Sequence, residues 1–228
     1  MDVGTVLAID TSGMTASVAV YHDQVLAETA WQSGRNHTVQ LIPTIEATLD
    51  LARTSKRDLA YIAVAAGPGS YSGLRVGIST AMAMALALDI RVVQVPTLDV
   101  MAWSVAGASV GDVRLTRPIR AAIDVGRGHY ASARFRRVAQ HLERETRIES
   151  EGLGELLEVA TAERALLVVD LDPQARENVE RHYGPKIELV TPAASLRRAG
   201  FLAELAALKI RRGEFVGGSV VEPIYLHN

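Results

Sequence analysis

Laid over itself at an offset of 114 residues, the sequence matches LAIDTSGMTASVAVY (Leu7 to Tyr21) to AAIDVGRGHYASARF (Ala121 to Phe135) without a gap. Ala8, Ile9 and Asp10 fall on Ala122, Ile123 and Asp124, and Tyr21 falls on Phe135. The offset is half of the 228-residue chain, so the repeat predicts a fold built twice. In each copy an apolar run ends in an aspartate, turns through small residues and resumes as a second apolar run. That is the pattern of a strand hairpin.

The surrounding pattern extends the repeat. A third strand is expected at Val25–Trp31, followed by a helix over His37–Arg53, where Leu41, Ile45, Leu49 and Ala52 recur at helical spacing. Pro43 cannot donate to the preceding turn, so it kinks this helix or opens its straight part. Tyr61–Ala66 is an apolar run bounded by Gly67-Pro68-Gly69 and predicts a buried strand. A helix over Ser72–Asp89, a strand Arg91–Val95 and a helix opened by Thr97 complete the first half. The second half offers a hairpin over Ile119–Ile148, a helix Leu153–Ala160 and a strand Ala165–Asp170. Then come a helix begun by Pro173, a strand Ile187–Val190 and a long helix Ser195–Arg212. Strand meanders alternating with helices predict an α/β protein with mixed sheets flanked by helices. The expected division is a first lobe over residues 1–100 and a shorter, divergent second lobe over 101–228.

Composition removes several function classes. With 48% hydrophobic and 22% charged residues the chain is long enough to bury a full core. Its formal charge of −2 lacks the bulk basicity of a stand-alone nucleic-acid binder. No cysteine is present, which excludes a disulfide framework and a thiolate metal site. The chain opens on a strand with no leader-like segment, and its longest apolar stretch, Ile78 to Leu88, falls short of the roughly 30 Å of a bilayer core. A soluble cytoplasmic protein is the expectation.

The two aspartates carry the first chemical question. An Asp at the end of a strand, followed by a tight turn with exposed backbone N–H groups, cradles phosphate while its carboxylate orients a hydrated Mg²⁺. Asp10-Thr11-Ser12-Gly13 fits one such turn; Asp124-Val125-Gly126-Arg127-Gly128 fits the other, with Gly126 and Gly128 letting the backbone approach closely. The same residues are also ordinary hairpin-turn residues. Duplicated turns of this kind resemble those of the two-lobed actin, hexokinase and Hsp70 ATPase fold. Those ATPases carry a Gly-Gly pair against the adenosine after a strand of the second half. Here LLVVD (Leu166 to Asp170) leads into Leu171-Asp172-Pro173-Gln174, and Gly217-Gly218 lies beyond the last long helix. The phosphate end is half present and the adenosine end is missing, so the site reads as degenerate. Gly67-Pro68-Gly69-Ser70 before a helix offers either an anion site or a tight strand-to-helix turn.

The stretch AAGPGSYSGLRVGISTAMAMALALDI (Ala65 to Ile90), with VLAIDTS, RNHTVQLIP, IDVGRGHY and the closing EPIYL, resembles the TsaB (YeaZ-like) family. These are bacterial subunits of the machinery that makes N6-threonylcarbamoyladenosine in tRNA. The resemblance is strong over Val6 to Val100 and looser from Ala139 to Leu205. The family's second-half motif usually runs Asp-Ala-Arg-Arg-Gly, and this chain departs from it at Val125-Gly126. In the related catalytic subunit, TsaD, two histidines four residues apart on the first helix hold a metal. His37 is present here, but Leu41 stands four residues later, so metal catalysis by this chain alone is disfavoured.

The resemblance implies a non-catalytic subunit that supports TsaD while TsaD transfers the threonylcarbamoyl group to the tRNA adenosine beside the anticodon. It also implies docking through the first-lobe helices, with self-dimerisation on the same surface when the subunit is alone. The docking residues carried over are His37, Leu41, Ile45, Gly73, Leu74, Gly77, Ala81, Met82 and Ala85. Within them Gly73, Gly77, Ala81 and Ala85 form a small-residue stripe that lets another backbone come close, on a helix apolar nearly all round. That helix is either a fully buried core element or a partner surface; the resemblance points to the partner surface. The resemblance further implies no cofactor of the chain's own, with ATP or ADP at most at the joint with the partner subunit, a TsaE-like ATPase reached through the complex, and indirect contact with tRNA. Nine arginines between Arg114 and Arg147 share their segment with acidic residues and alternate with Ala131, Ala133 and Phe135, as on a solvated strand face. Two other readings stay open: a stand-alone ATPase or small-molecule kinase using Asp10 and Asp124, and a metallopeptidase, which lacks a second helix ligand.

Overall fold

The computed structural model describes residues 2–34, 36–106, 117–138 and 141–214. Gly217-Gly218, the closing EPIYL stretch and Arg114 lie outside them. The chain forms two compact units, one of Met1–Val100 with Arg197–His227 and one centred on Met101–Leu196.

The first unit holds β1 (Thr5–Asp10), β2 (Thr15–His22), β3 (Gln24–Gln32), α1 (His37–Leu51), β4 (Leu59–Ala65), α2 (Tyr71–Leu88), β5 (Arg91–Val95) and the start of α3 (Thr97–Ala106). The second holds β6 (Ile119–Gly126), β7 (His129–Val138), β8 (His141–Arg144), β9 (Glu149–Gly152), α4 (Leu153–Ala162), β10 (Leu166–Val169), α5 (Pro173–Tyr183), β11 (Glu188–Leu189) and α6 (Pro192–Ser195). One further helix, α7 (Ala199–Arg211), belongs to the first unit.

The sheet orders are β3-β2-β1-β4-β5 and, written in the same sense, β8-β7-β6-β10-β11. In each, an antiparallel meander is followed by two strands parallel to the first. Helices α1 and α2 make the crossovers of the first sheet, and α4 and α5 those of the second. The repeat seen in the sequence is therefore a repeat of topology. Its register is not the ungapped one. Ala8 faces Ala19, but Ala122 faces Ser132 rather than Ala133. The turn after Asp124 is effectively one residue shorter, with an irregularity between Asp124 and Gly126. A one-residue slip turns every side chain of the return strand to the opposite face. β7 thus presents Tyr130, Ser132 and Arg134 where β2 presents the counterparts of Ala131, Ala133 and Phe135.

Helix boundaries follow local chemistry. α2 opens on Ser70, whose hydroxyl accepts from Gly73 N, and closes on Asp89 in the left-handed conformation. Asp172 caps α5 by accepting from Ala175 N, with Pro173 in its first turn. α1 runs through Pro43. One face of the first sheet carries Leu7, Ile9, Val18, Val20, Ile62 and Val64 against Leu41, Ile45 and Leu49 of α1 and Leu74, Ile78, Ala81 and Ala85 of α2. The other face, with Val6, Ala8, Ala19 and Ala63, is covered by Ala199, Leu202, Ala203, Ala206 and Ala207 of α7. The sequence places this last helix in the second half; its alanine row returns it to the first sheet, where short side chains allow close packing. In the second unit Ala122, Tyr130, Leu167 and Val169 pack beneath Leu156, Leu157, Ala160 and Val179.

Length and composition would let α2, of mean hydropathy 1.2, pass for a membrane span. Its small residues are instead used against β1. A Cβ on Gly73 would lie 2.1 Å from Thr11 O, and one on Gly77 would lie 2.2 Å from Thr11 Oγ1.

Candidate functional site: two aspartate turns and a helix face

The turn after Asp10 is folded inward. Asp10, Thr11 and Ser12 are all buried. Asp10 Oδ1 accepts from Ser12 N at 2.9 Å and from Ser12 Oγ at 2.6 Å, and Thr11 Oγ1 donates to Gly73 O at 2.8 Å. The Gly67–Ser70 loop is joined to the same turn. Ser70 N donates to Ser12 O at 2.7 Å, Thr97 N donates to Gly67 O at 2.8 Å, and a Cβ on Gly69 would lie 2.2 Å from Ser12 O. Of the two readings of this loop, the structure supports the strand-to-helix turn: its backbone groups are engaged by neighbouring chain. Asp10, Thr11, Ser12, Gly67 and Gly69 are thus brought together, but as a closed packing joint.

The turn after Asp124 differs. Asp124, Gly126, Arg127 and Gly128 are exposed, and a Cβ on Gly126 or Gly128 would meet nothing within 4 Å. Both glycines have positive φ, of +94° and +77°. Asp124 Oδ1 accepts from Gly126 N at 2.6 Å. Next to it, Tyr130 is buried, and burial pushes its phenol above the ordinary range, assisted by the charges of Asp124, Asp172 and Asp170. Tyr21 in the first unit is raised by burial too, then by Glu204. A raised acid stabilises the folded state fully below its unfolded pKa of about 10 and loses that contribution as pH climbs through the raised value. Stability is therefore expected to fall above pH ~10, and Tyr130→Phe to make that fall shallower. Denaturation midpoints across alkaline pH, read alongside phenolate absorbance, check this.

The arginine-rich segment is not a uniformly solvated face. Arg120, 1% exposed, donates from Nε and Nη2 to the two carboxylate oxygens of Glu163 at 2.8 and 2.7 Å, and from Nη1 to Ser132 Oγ. Ser132 Oγ donates to buried Glu151. Arg134 and Arg136 both pair with Glu145, and Arg117 pairs with Glu188. Burial opposes the Arg120 charge, but Glu163, Glu151 and Glu149 together hold its pKa above the ordinary guanidinium value. Matched carboxylates occupy many of the guanidiniums that a tRNA surface would need.

The docking stripe needs correction. Leu41, Ile45, Gly73, Leu74, Gly77, Ala81 and Ala85 are buried in the first unit, because the stripe contacts β1 and the turn after it. His37 opens α1, and Met82 is half-buried. What α1 and α2 turn outward is a different row: Val39, Ile42, Leu51, Tyr71 and Leu86, the last 82% exposed. Between the helices runs a groove of about 150 Å³ lined by Ile42, Ile45, Glu46, Lys56, Met84, Ala87 and Leu88. Helical spacing shows which residues share a face but not which face meets the sheet, so the sequence reading placed the partner surface on the inward side. A further grouping, with no local sequence signal, is Asp2, His22 and Asp23, whose ligand atoms lie within 4.8 Å of one another near the start of β1 and the end of β2. Asp23 there pairs with Arg211 at 2.7 Å.

A family profile for TsaD, tRNA N6-adenosine threonylcarbamoyltransferase, matches residues 24–174, more than half of the chain and reaching into both units. The chain belongs to that family. Within it the chain is TsaB/YeaZ-like. It is 29% identical over 233 residues to the tRNA threonylcarbamoyladenosine biosynthesis protein TsaB of Escherichia coli, covering 98% of this chain and 94% of that protein. It is 39% identical to the TsaB of Bacillus subtilis over 99 residues, which span 43% of each protein. The YeaZ structure from Pseudomonas aeruginosa superposes with a TM-score of 0.78 at 25% identity, over 98% of this chain and all of that one. The TsaB-like chain thus shares with the YeaZ structure the α/β fold expected from its repeat.

Proposed function

We propose that this TsaB-like chain is a supporting subunit in the synthesis of N6-threonylcarbamoyladenosine in tRNA, and that it assists a TsaD-like catalytic subunit rather than carrying out the transfer itself. The observation that carries this reading is the closed Asp10 turn. Its Thr11 and Ser12 hydroxyls and the Ser12 and Ser70 amides are spent on contacts within the unit, so it offers little to a phosphate. A kinase or ATPase needs those groups pointing at its nucleotide.

The proposed docking surface is the outward row of α1 and α2, with Ile42 and Leu86 as its probes and Met82 and Met84 as adaptable flanks. Its occupant is the TsaD-like subunit. The family match over residues 24–174, which include both helices, supports this choice, since related helix pairs can pack in a pseudo-symmetric manner. The same face on a second copy would serve for self-dimerisation in the absence of TsaD. A TsaE-like ATPase would join through the complex, and tRNA would be held mainly by the partner.

The test is a reconstitution of tRNA modification from purified components with and without this chain. Modification that depends on it, with no ATP hydrolysis by the chain alone, is the expected result.

A further inference from the structure

One buried charge remains outside the proposed function. Arg197, 3% exposed, lies at the point where the chain re-enters the first unit ahead of α7. Its guanidinium stands directly over Gly13: a Cβ there would be 2.1 Å from Nη2 and 2.7 Å from Cζ. Nη2 donates to Thr15 O at 3.0 Å, and Nε lies 3.8 Å from Asp10 Oδ2. Asp10 Oδ2 itself is buried and accepts no hydrogen bond; neither does the buried hydroxyl of Ser17, the residue paired with Asp10 across the hairpin. The turn therefore has an anionic wall, and against it lies a planar cation from 182 residues further along the chain than Thr15.

We infer that Arg197 is the resident ligand of the Asp10 turn: its guanidinium occupies the space beside Gly13 that a bound cation or phosphate would need. This makes the turn selective for a guanidinium-class cation and closes it to nucleotide. Three features support this. The carboxylate faces the guanidinium, which offers charge complementarity in a water-poor setting. A side chain at position 13 would have to displace the guanidinium, which lies where its Cβ would go. Finally, the other atom that the guanidinium meets, Thr15 O, is an acceptor, which suits an N–H donor and repels a phosphate oxygen.

The test is chemical rescue. Arg197→Ala removes the cation and leaves Asp10 buried without it, so the thermal midpoint should drop on the order of 10 °C. Guanidinium chloride at low millimolar concentration should then raise the midpoint of Arg197→Ala while leaving the unsubstituted chain unchanged. Sodium chloride at the same ionic strength should raise neither midpoint. Asp10→Asn combined with Arg197→Ala should abolish the rescue. MgATP and inorganic phosphate should not shift the midpoint of the unsubstituted chain. Equal responses of Arg197→Ala and the unsubstituted chain to guanidinium would overturn the inference, as would stabilisation of the unsubstituted chain by MgATP.

Should Arg197→Ala not fold, the pair is read by a double-substitution cycle. Asp10→Asn with Arg197→Met removes both charges, and it should be more stable than the sum of the two single losses allows. Strictly additive losses would count against the pairing. These readouts are binding and stability of the isolated chain, so they stand whether or not the chain supports tRNA modification.

Discussion

Arg120→Ala should cost the second unit about 3–5 kcal/mol, among the largest losses available to a single substitution in this chain. The side chain bridges three elements: it sits on β6, forks onto Glu163 at the end of α4, and reaches Ser132 on β7, which in turn holds Glu151 on β9. Removing it leaves the buried Glu151 carboxylate and the half-buried Glu163 carboxylate without their cation. Coulombic attraction alone does not make such a network stabilising, since desolvation of the ions opposes it; what is costly is to break it from one side. Arg120→Met with Glu163→Gln should therefore recover part of the loss. Denaturant unfolding of the three proteins measures both numbers. A loss below about 1 kcal/mol for Arg120→Ala would mean that water reaches these groups.

Gly73→Val should be comparably damaging to the first unit, by about 3 kcal/mol or more. Its new Cβ would overlap the carbonyl oxygen of Thr11, which is backbone and has no rotamer through which to retreat. The same carbonyl precedes Ser12, which holds Asp10, so the substitution should also disturb the packing around Arg197. An alanine at Ser79, exposed on the same helix, provides the control and should change stability by no more than about 0.5 kcal/mol. Thermal unfolding separates the two outcomes.

These two sites show where sequence reasoning succeeds and where physics hides the answer. The duplication is legible because strands obey a period of two and aspartates mark the turns, so two copies can be superposed by eye. The slipped register of the second hairpin is not, because it depends on the length of one turn around Gly126 and Gly128, which an ungapped match conceals. Small residues in α2 announce close approach of a backbone, but β1 and a partner chain make the same demand; only the fold shows that Thr11 is what approaches. Charged residues are the least legible. Arg120 and Arg136 look alike in sequence, yet one is buried in a network and the other is exposed. Arg197 is invisible for a further reason: its partners lie near the start of the chain, and no local pattern links them.

The surface proposed to meet a catalytic partner can be tested where it is exposed. Ile42→Arg with Leu86→Arg places two charges on the outward row of α1 and α2 without touching the core, so the thermal midpoint should be unchanged. In the reconstituted tRNA modification reaction, this double variant should reduce the rate roughly tenfold or more, towards the level seen when the chain is omitted. Full activity from the folded double variant, or modification at the same rate without any TsaB-like chain present, would contradict the proposal.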